Sequence, residues 1–341
     1  MVDLSTDWLG LRLPSPLVVG ASPLTRNVDD ARRLVDAGAG AVVLPSVFEE
    51  QIVADELAAH RFLDSRIDHD AEARSFLPTI DTSAAGPVPT LRHLRAMRAA
   101  VDVPVVASLN GVSPGGWTGL ARQLAEAGAD ALELNLYEPP VSLDQTSADI
   151  EARQIDVVSA VVGAAGSVPV TVKLSPFYAG LPAFVGRIAG AGAVGVVLFN
   201  RFYQPDIDLD TLDLDRHLVL STSTELPLRL HALAVLHGRF PLSLAATGGV
   251  HSGLDAAKAI LCGASAVQMV SALLQDAAAF TRIERELTEW LDEKGYRSVS
   301  EACGATSFDN VADPTAYERL NYARLLQSWP TSQTKGAYPR T

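Results

Sequence analysis

The sequence predicts an α/β protein built as a (β/α)8 TIM barrel, and three observations predict it. Short apolar runs alternate with helical stretches from Pro16 to about Lys294, with no shift in composition that would divide the chain. Three helical stretches end in the same tripeptide, Ala37-Gly38-Ala39, Ala127-Gly128-Ala129 and Ala191-Gly192-Ala193, each followed by an apolar run. A glycine just past a helix end is a common stop signal. Finally, Leu242–Leu273 reads as strand, Gly-Gly loop, helix, strand and small polar loop. The last two units of such a barrel commonly build a phosphate site in that way. An open doubly wound sheet would more often carry Gly-x-Gly-x-x-Gly near its start, and none occurs there.

Taken in order, Trp8–Leu13 around Gly10 forms a small hairpin arm. Pro16–Gly20 is the first buried strand, and Asn27 caps a helix running to about Ala37. Ala41–Leu44 is the second strand, Val47–His60 a helix, and Leu63–Pro87 an irregular excursion. Thr90–Ala100 is helical, Val103–Ser108 the third strand, and Trp117–Ala127 its helix. Ala131–Asn135 is the fourth strand, with a helix at Ala148–Ala165. Val168–Lys173 is the fifth, followed by a helix at Pro182–Ala191. Val194–Phe199 is the sixth, then a long loop, Arg201–Thr224, and a helix at Leu226–His237. Leu242–Ala246 and Ala266–Val270 complete the eight, separated by a helix that Ser252 caps and Gly263 stops. Phe280–Lys294 closes the barrel domain, set at residues 1–297, and 298–341 reads as a C-terminal extension, loosely held from Ser328 onward.

Composition narrows the function. The chain has 341 residues, 48% of them hydrophobic, which rules out global disorder. A net charge of −13 with no basic stripe argues against nucleic acid and anionic membrane as partners. Cys262 and Cys303 form no CxxC or Cys/His cluster, so neither a disulfide framework nor a metal or iron–sulfur site is suggested, and a reducing cytoplasm fits. The start, Met1–Ser5, carries no signal-peptide pattern, and no apolar run reaches membrane-spanning length.

Chemistry in such a barrel sits at strand C-termini. Lys173 ends an apolar strand, where an ammonium is costly without an anion; the partner is either a ligand or a carboxylate such as Glu133. Asn110, Asn135 and Asn200 also end strands, either as loop caps or as donor–acceptor contacts to a heteroaromatic ring edge. Gly248-Gly249 and Val270-Ser271 offer paired loops with free N–H groups, unless Gly-Gly serves only as a tight turn. A cation, amides and an anion site together suggest a phosphorylated heteroaromatic cofactor.

With Glu133-Leu134-Asn135, Val172-Lys173-Leu174-Ser175-Pro176, Ala246–Gly253 and Leu261–Ala264, the chain resembles the dihydroorotate dehydrogenase family of FMN barrels, most of all its class 1 branch. The resemblance runs from the Trp8–Pro16 arm to about Tyr296. It implies that Gly248, Gly249, Val270 and Ser271 hold the FMN phosphate through backbone N–H groups. It implies that Ala21, Ser22 and Ser46 lie beside the flavin, that Lys173 faces its N1/O2 edge, and that Asn110, Asn135 and Asn200 line flavin or substrate. The expected partners are a small-molecule substrate and a second copy of the chain in a cytoplasmic homodimer; the electron acceptor is not identified by the sequence.

The departures fall on the substrate side. After the fourth strand the family carries Asn-x-Ser-Cys-Pro-Asn or its serine variant, whose Cys or Ser takes the substrate proton. This chain reads Asn135-Leu136-Tyr137-Glu138-Pro139-Pro140. Glu138 stands at the base position, with Tyr137 as the alternative acid/base, and Pro140 replaces a substrate-binding asparagine. Glu138 could otherwise face solvent or pair with Arg201. Pro45 replaces a lysine that contacts the substrate carboxylate, Phe76–Asp81 lacks the family's asparagines, and Ser221-Thr222 replaces a Gly-Gly. The expected activity is an FMN-dependent oxidoreductase working on a C–C bond next to a carbonyl in a dihydropyrimidine-like substrate. The alternatives are a true dihydroorotate dehydrogenase and a flavin-holding protein without turnover.

Overall fold

In a computed structural model the protein is described over residues 2–48, 87–110, 114–138, 141–201, 206–215, 218–276 and 278–328. Eight parallel strands close into a ring: β1 Leu17–Val19, β2 Ala41–Val43, β3 Val105–Asn110, β4 Ala131–Asn135, β5 Val170–Leu174, β6 Gly195–Leu198, β7 Ser243–Thr247 and β8 Ala266–Met269. Neighbours in sequence are neighbours in the ring. The pair Val42↔Val105 and Val43↔Val106 joins β2 to β3, and Val267↔Leu17 joins β8 to β1. Each strand is followed by a helix: α1 Val28–Asp36, α2 Val88–Ala100, α3 Pro114–Glu126, α4 Ser147–Ala165, α5 Leu181–Gly190, α6 Leu226–Leu236, α7 Gly253–Leu261 and α8 Ala279–Glu293.

The helix boundaries follow local chemistry. Asn27 accepts from the backbone N–H groups of Asp29 and Asp30 at the start of α1, and Ser252 from Asp255 at the start of α7. Thr146 and Asp149 form a capping box at the start of α4. Gly38, Gly128, Gly192 and Gly263 all take φ between 94° and 110°, which is the left-handed stop that the repeated tripeptide and Gly263 signalled.

Strand side chains alternate between two cores. Leu17, Val42, Val105, Leu132 and Val196 face the helices and join the large core between ring and helices. Val18, Val43, Val106, Val197 and Ala245 face inward and gather with Trp8, Leu9 and Leu13 of the arm. The arm is the antiparallel pair Thr6–Trp8 and Leu11–Leu13, turned at Leu9-Gly10 with both residues at positive φ. Positive φ is costly for leucine. Here the turn is held by Leu9 N–H donating to Ser243 Oγ (2.9 Å) and by Thr6 Oγ1 donating to Ser265 O (3.1 Å). The side chain of Leu9 fills the space that a Cβ on Gly195 would need. The arm therefore stoppers the N-terminal end of the ring.

Two expectations need correcting. Val47–Phe48 is not the start of a helix; it is a short strand parallel to β3, pairing Val47↔Leu109 and Phe48↔Asn110. The exposed edge of β3 captures it before any helix begins, and the remainder of the expected helix, like the Leu63–Pro87 excursion apart from Pro87, lies outside the described residues. The Arg201–Thr224 stretch is not wholly loop: Asp206–Ile207 and Leu214–Asp215 form an antiparallel pair, and Ser223–Glu225 a 3-10 turn. Beyond α8, Val299–Ala302 docks by Val299 N–H to Asp3 O, and Pro314–Gln327 is a helix with no buried residue. Of the stretch expected to be loose, only Ser328 is described. Among the described residues no helix is long and apolar enough to cross a membrane.

Trp8 is fully buried in the inner core, so truncating it leaves a void the closed ring cannot collapse around. Trp8→Ala should lower unfolding stability by about 3–5 kcal/mol, read from the midpoint of a urea transition.

Candidate active site

Above the apolar inner core the inward positions become polar. Ser108, Glu133, Lys173 and Gln268 are all buried, with Glu133 and Gln268 at 0% exposure. Lys173 Nζ lies 3.2 Å from Glu133 Oε1 and 3.4 Å from Gln268 Oε1. Gln268 Nε2 donates to Glu133 Oε2 at 2.6 Å, and Ser108 Oγ lies 3.4 Å from Glu133 Oε1. Ser46 Oγ is 2.6 Å from Ser108 Oγ, which extends the chain to the end of β2. Of the two partners left open for Lys173, the carboxylate is present: the Glu133 pair exists within the protein. Lys173 also lines the cavity above, so one ammonium is shared between the buried layer and the mouth.

That cavity encloses about 220 Å³ at the C-terminal mouth. Of the residues singled out in the sequence, it brings together Ala21, Ser22, Lys173 and Asn200 with Gly248, Gly249, Val270 and Ser271. Ser46, Asn110 and Asn135 stand at neighbouring strand ends outside that lining, and Tyr137 and Glu138 lie farther along the loop after β4. Two polar atoms at these strand ends are buried without a hydrogen-bond partner: Ser22 Oγ in the cavity lining and Asn135 Oδ1 outside it. Buried polar atoms are rarely left so unless they face a ligand or water. A cavity edged by an unpartnered hydroxyl, an ammonium, the Gly248-Gly249 loop and the Val270-Ser271 loop fits a polar heteroaromatic molecule with an anionic tail.

The glycine loop differs in detail from its reading in the sequence. Gly248 and Gly249 both take φ near 83°. A Cβ on Gly249 would meet the backbone nitrogen of Leu226 at 2.6 Å, so it is the approach of α6, not of a ligand, that demands glycine there. At Gly248 a Cβ would come within 3.0 Å of Arg229 Nη2. Gly249 N–H donates to Ser221 Oγ (3.3 Å), Ser221 N–H donates to Ser271 Oγ (3.1 Å), and Ser221 Oγ lies 3.3 Å from His251 Nε2.

Glu138 faces neither solvent alone nor Arg201. Its Oε1 is ion-paired with Arg153 of α4, and the pair is part-buried. Nearby, Tyr178 donates to Gln154 Oε1 at 2.8 Å; burial drives its hydroxyl pKa upward against the pull of the Gln154 and Ser175 hydrogen bonds, with the charges of Glu151 and Glu138 adding to the rise. Arg229, Arg153 and Tyr178 are the site residues that sequence reasoning missed. A signal existed for Arg229, an arginine in the otherwise apolar Leu226–Leu236 helix.

The ring and its mouth define a (β/α)8 barrel with a cavity at the C-terminal end. The family model for dihydroorotate dehydrogenase matches residues 84–291, more than half of the chain. The catalytic subunit of dihydroorotate dehydrogenase B (NAD(+)) from Methanosarcina mazei is 27% identical over 299 residues, covering 86% of this chain and 92% of that protein. Dihydroorotate dehydrogenase A (fumarate) from Lacticaseibacillus paracasei is 32% identical over 193 residues, covering 54% of this chain and 65% of that protein. The chain belongs to the dihydroorotate dehydrogenase family, oxidoreductases that act on CH–CH groups.

Removing the Lys173 charge alone strands a carboxylate at 0% exposure. Lys173→Met should cost about 3–5 kcal/mol in a denaturant titration. Combining it with Glu133→Gln should restore most of that loss, a coupling that a double-mutant cycle measures directly.

Proposed function

We propose that this chain is an FMN-dependent oxidoreductase that transfers hydride between the flavin and a C–C bond next to a carbonyl in a dihydropyrimidine-like substrate. The observation that carries the reading is Ser22 Oγ, buried without a partner in the cavity where Lys173 and the Gly248-Gly249 loop converge, with Asn135 Oδ1 likewise unpartnered at the end of β4. FMN, when bound, would supply the two-electron centre. Ala21 and Ser22 would flank its ring system, Lys173 would offset negative charge at its N1 edge, and the loops at Gly248-Gly249 and Val270-Ser271 would take its phosphate. Asn110, Asn135 and Asn200 would orient ring and substrate through amide donors and acceptors.

The substrate side is where this chain parts from its relatives. With Pro45 in place of a lysine, the family's contact to a substrate carboxylate is missing. This favours an uncharged or differently anchored ring over dihydroorotate itself. Dihydroorotate remains the second reading, favoured by the names of the relatives. Proton removal opposite the flavin falls to Glu138 in this reading, with Tyr137 next to it on the same loop. The ion pair with Arg153 fixes the carboxylate on α4 and sets its direction. A homodimer in the cytoplasm and a separate redox partner complete the proposal.

The purified protein should be yellow and release FMN on denaturation. Anaerobic addition of reduced pyrimidines, dihydroorotate among them, should bleach the visible band with at least one member of the panel. Bleaching by none would leave a flavin carrier without turnover. With the bleaching substrate in hand, Glu138→Gln should keep FMN and slow reduction by about 10²-fold or more. A rate within about twofold of the unmodified protein would move the base to Tyr137.

A further inference from the structure

Arg229 sits in the fourth position of α6 and is 3% exposed. Its guanidinium plane is fixed by two backbone carbonyls: Nε donates to Thr247 O at 3.0 Å and Nη1 to Glu225 O at 2.7 Å. That leaves Nη2, which lies 3.7 Å from Glu225 Oε2, too long for a hydrogen bond. The same Nη2 stands over Gly248, where the absence of a Cβ opens the path to the cavity that both residues line. Burial lowers the pKa of Arg229, Glu225 opposes that, and Arg201 at the same mouth adds repulsion. Arg201 and Arg229 thus both line the cavity, where Glu225, with 37% of its side chain exposed, is the carboxylate among the described lining residues. A buried cation in that setting calls for a further anion.

The backbone cradle beside it is partly spent. Ser221, standing where the family has glycine, takes the Gly249 N–H on its hydroxyl and gives its own N–H to Ser271 Oγ. One of the four backbone N–H groups expected to hold a phosphate, that of Gly249, is therefore engaged by a serine hydroxyl. We propose that Arg229 is the side-chain ligand of the flavin phosphate, replacing the diverted Gly249 donor and setting the preference for FMN over riboflavin. The proposal rests on the FMN reading above. A guanidinium held rigid by its other nitrogens suits an oxyanion better than a mobile ammonium would.

The test titrates flavin-free protein with FMN and, separately, riboflavin, following the quenching of flavin fluorescence. For Arg229→Gln, FMN affinity should fall by about 10- to 100-fold while riboflavin affinity stays within about threefold. Arg229→Lys should recover part of the loss. Equal losses for both flavins, or an unchanged FMN-to-riboflavin ratio, would overturn the assignment and leave Arg229 as a brace between Thr247 and Glu225. Because Arg229→Gln could fail to fold, Glu225→Gln gives an independent reading at a part-exposed side chain. Neutralising the competing carboxylate should tighten FMN by about two- to fivefold with riboflavin unmoved, and an unchanged ratio would again overturn the assignment. Quenching by neither flavin with the unmodified protein would overturn the cofactor reading itself, a failure distinct from a flavin that binds without regard to its phosphate.

Discussion

The buried contact between Lys173 and Glu133 is the constraint on which the mouth of this barrel depends. The two residues face inward from adjacent strands, where the register sets Asn135 beside Lys173 and Glu133 beside Thr171. Neither charge could sit there alone, and Gln268 from the far side of the ring satisfies the second carboxylate oxygen at 2.6 Å. The layer so formed divides the interior. Below it the inward positions are Val18, Val43, Val106, Val197 and Ala245, a dry packed floor; above it the strand ends are free to carry polar groups. Ser22, Asn135 and Asn200 stand above this layer, which supplies a rigid polar base beneath them.

Much of the fold was legible because it is written in local chemistry. The tripeptides ending at Ala39, Ala129 and Ala193 encode left-handed helix stops, and Asn27 and Ser252 encode starts, each within a single turn of chain. The place of Lys173 among the strand ends followed from its position at the end of an apolar run. What was not legible depends on contacts between distant segments. Val47–Phe48 carries no strand signal of its own and becomes one only because β3 presents an open edge. The partner of Glu138 could be named wrongly as Arg201, since choosing Arg153 requires knowing how α4 returns over the loop after β4.

The candidate site shows the same split. Which residues end strands could be counted along the chain, and eight of those singled out do share one cavity. Why Gly249 must be glycine could not, because the reason is the backbone of Leu226, some twenty residues earlier. Arg229 was overlooked for a related cause. On a helix it reads as one polar residue among leucines, and only the approach of α6 to the end of β7 turns it toward the mouth. Where sequence reasoning and structure disagree here, the disagreement lies in the loops and helix starts that shape the ligand, not in the ring that carries them.

The stoppered floor gives the barrel the topology of a blind well. Leu9 and Trp8 fill the end of the ring opposite the mouth, so whatever enters between the strand ends must leave the way it came. Such a vessel imposes an order of occupancy. A molecule seated on the polar layer becomes the bottom of the well for the next arrival, and it cannot depart until the later one has gone. Two reactants that both need the exposed face of a seated cofactor would have to take turns there, exchanging electrons through that cofactor without meeting each other.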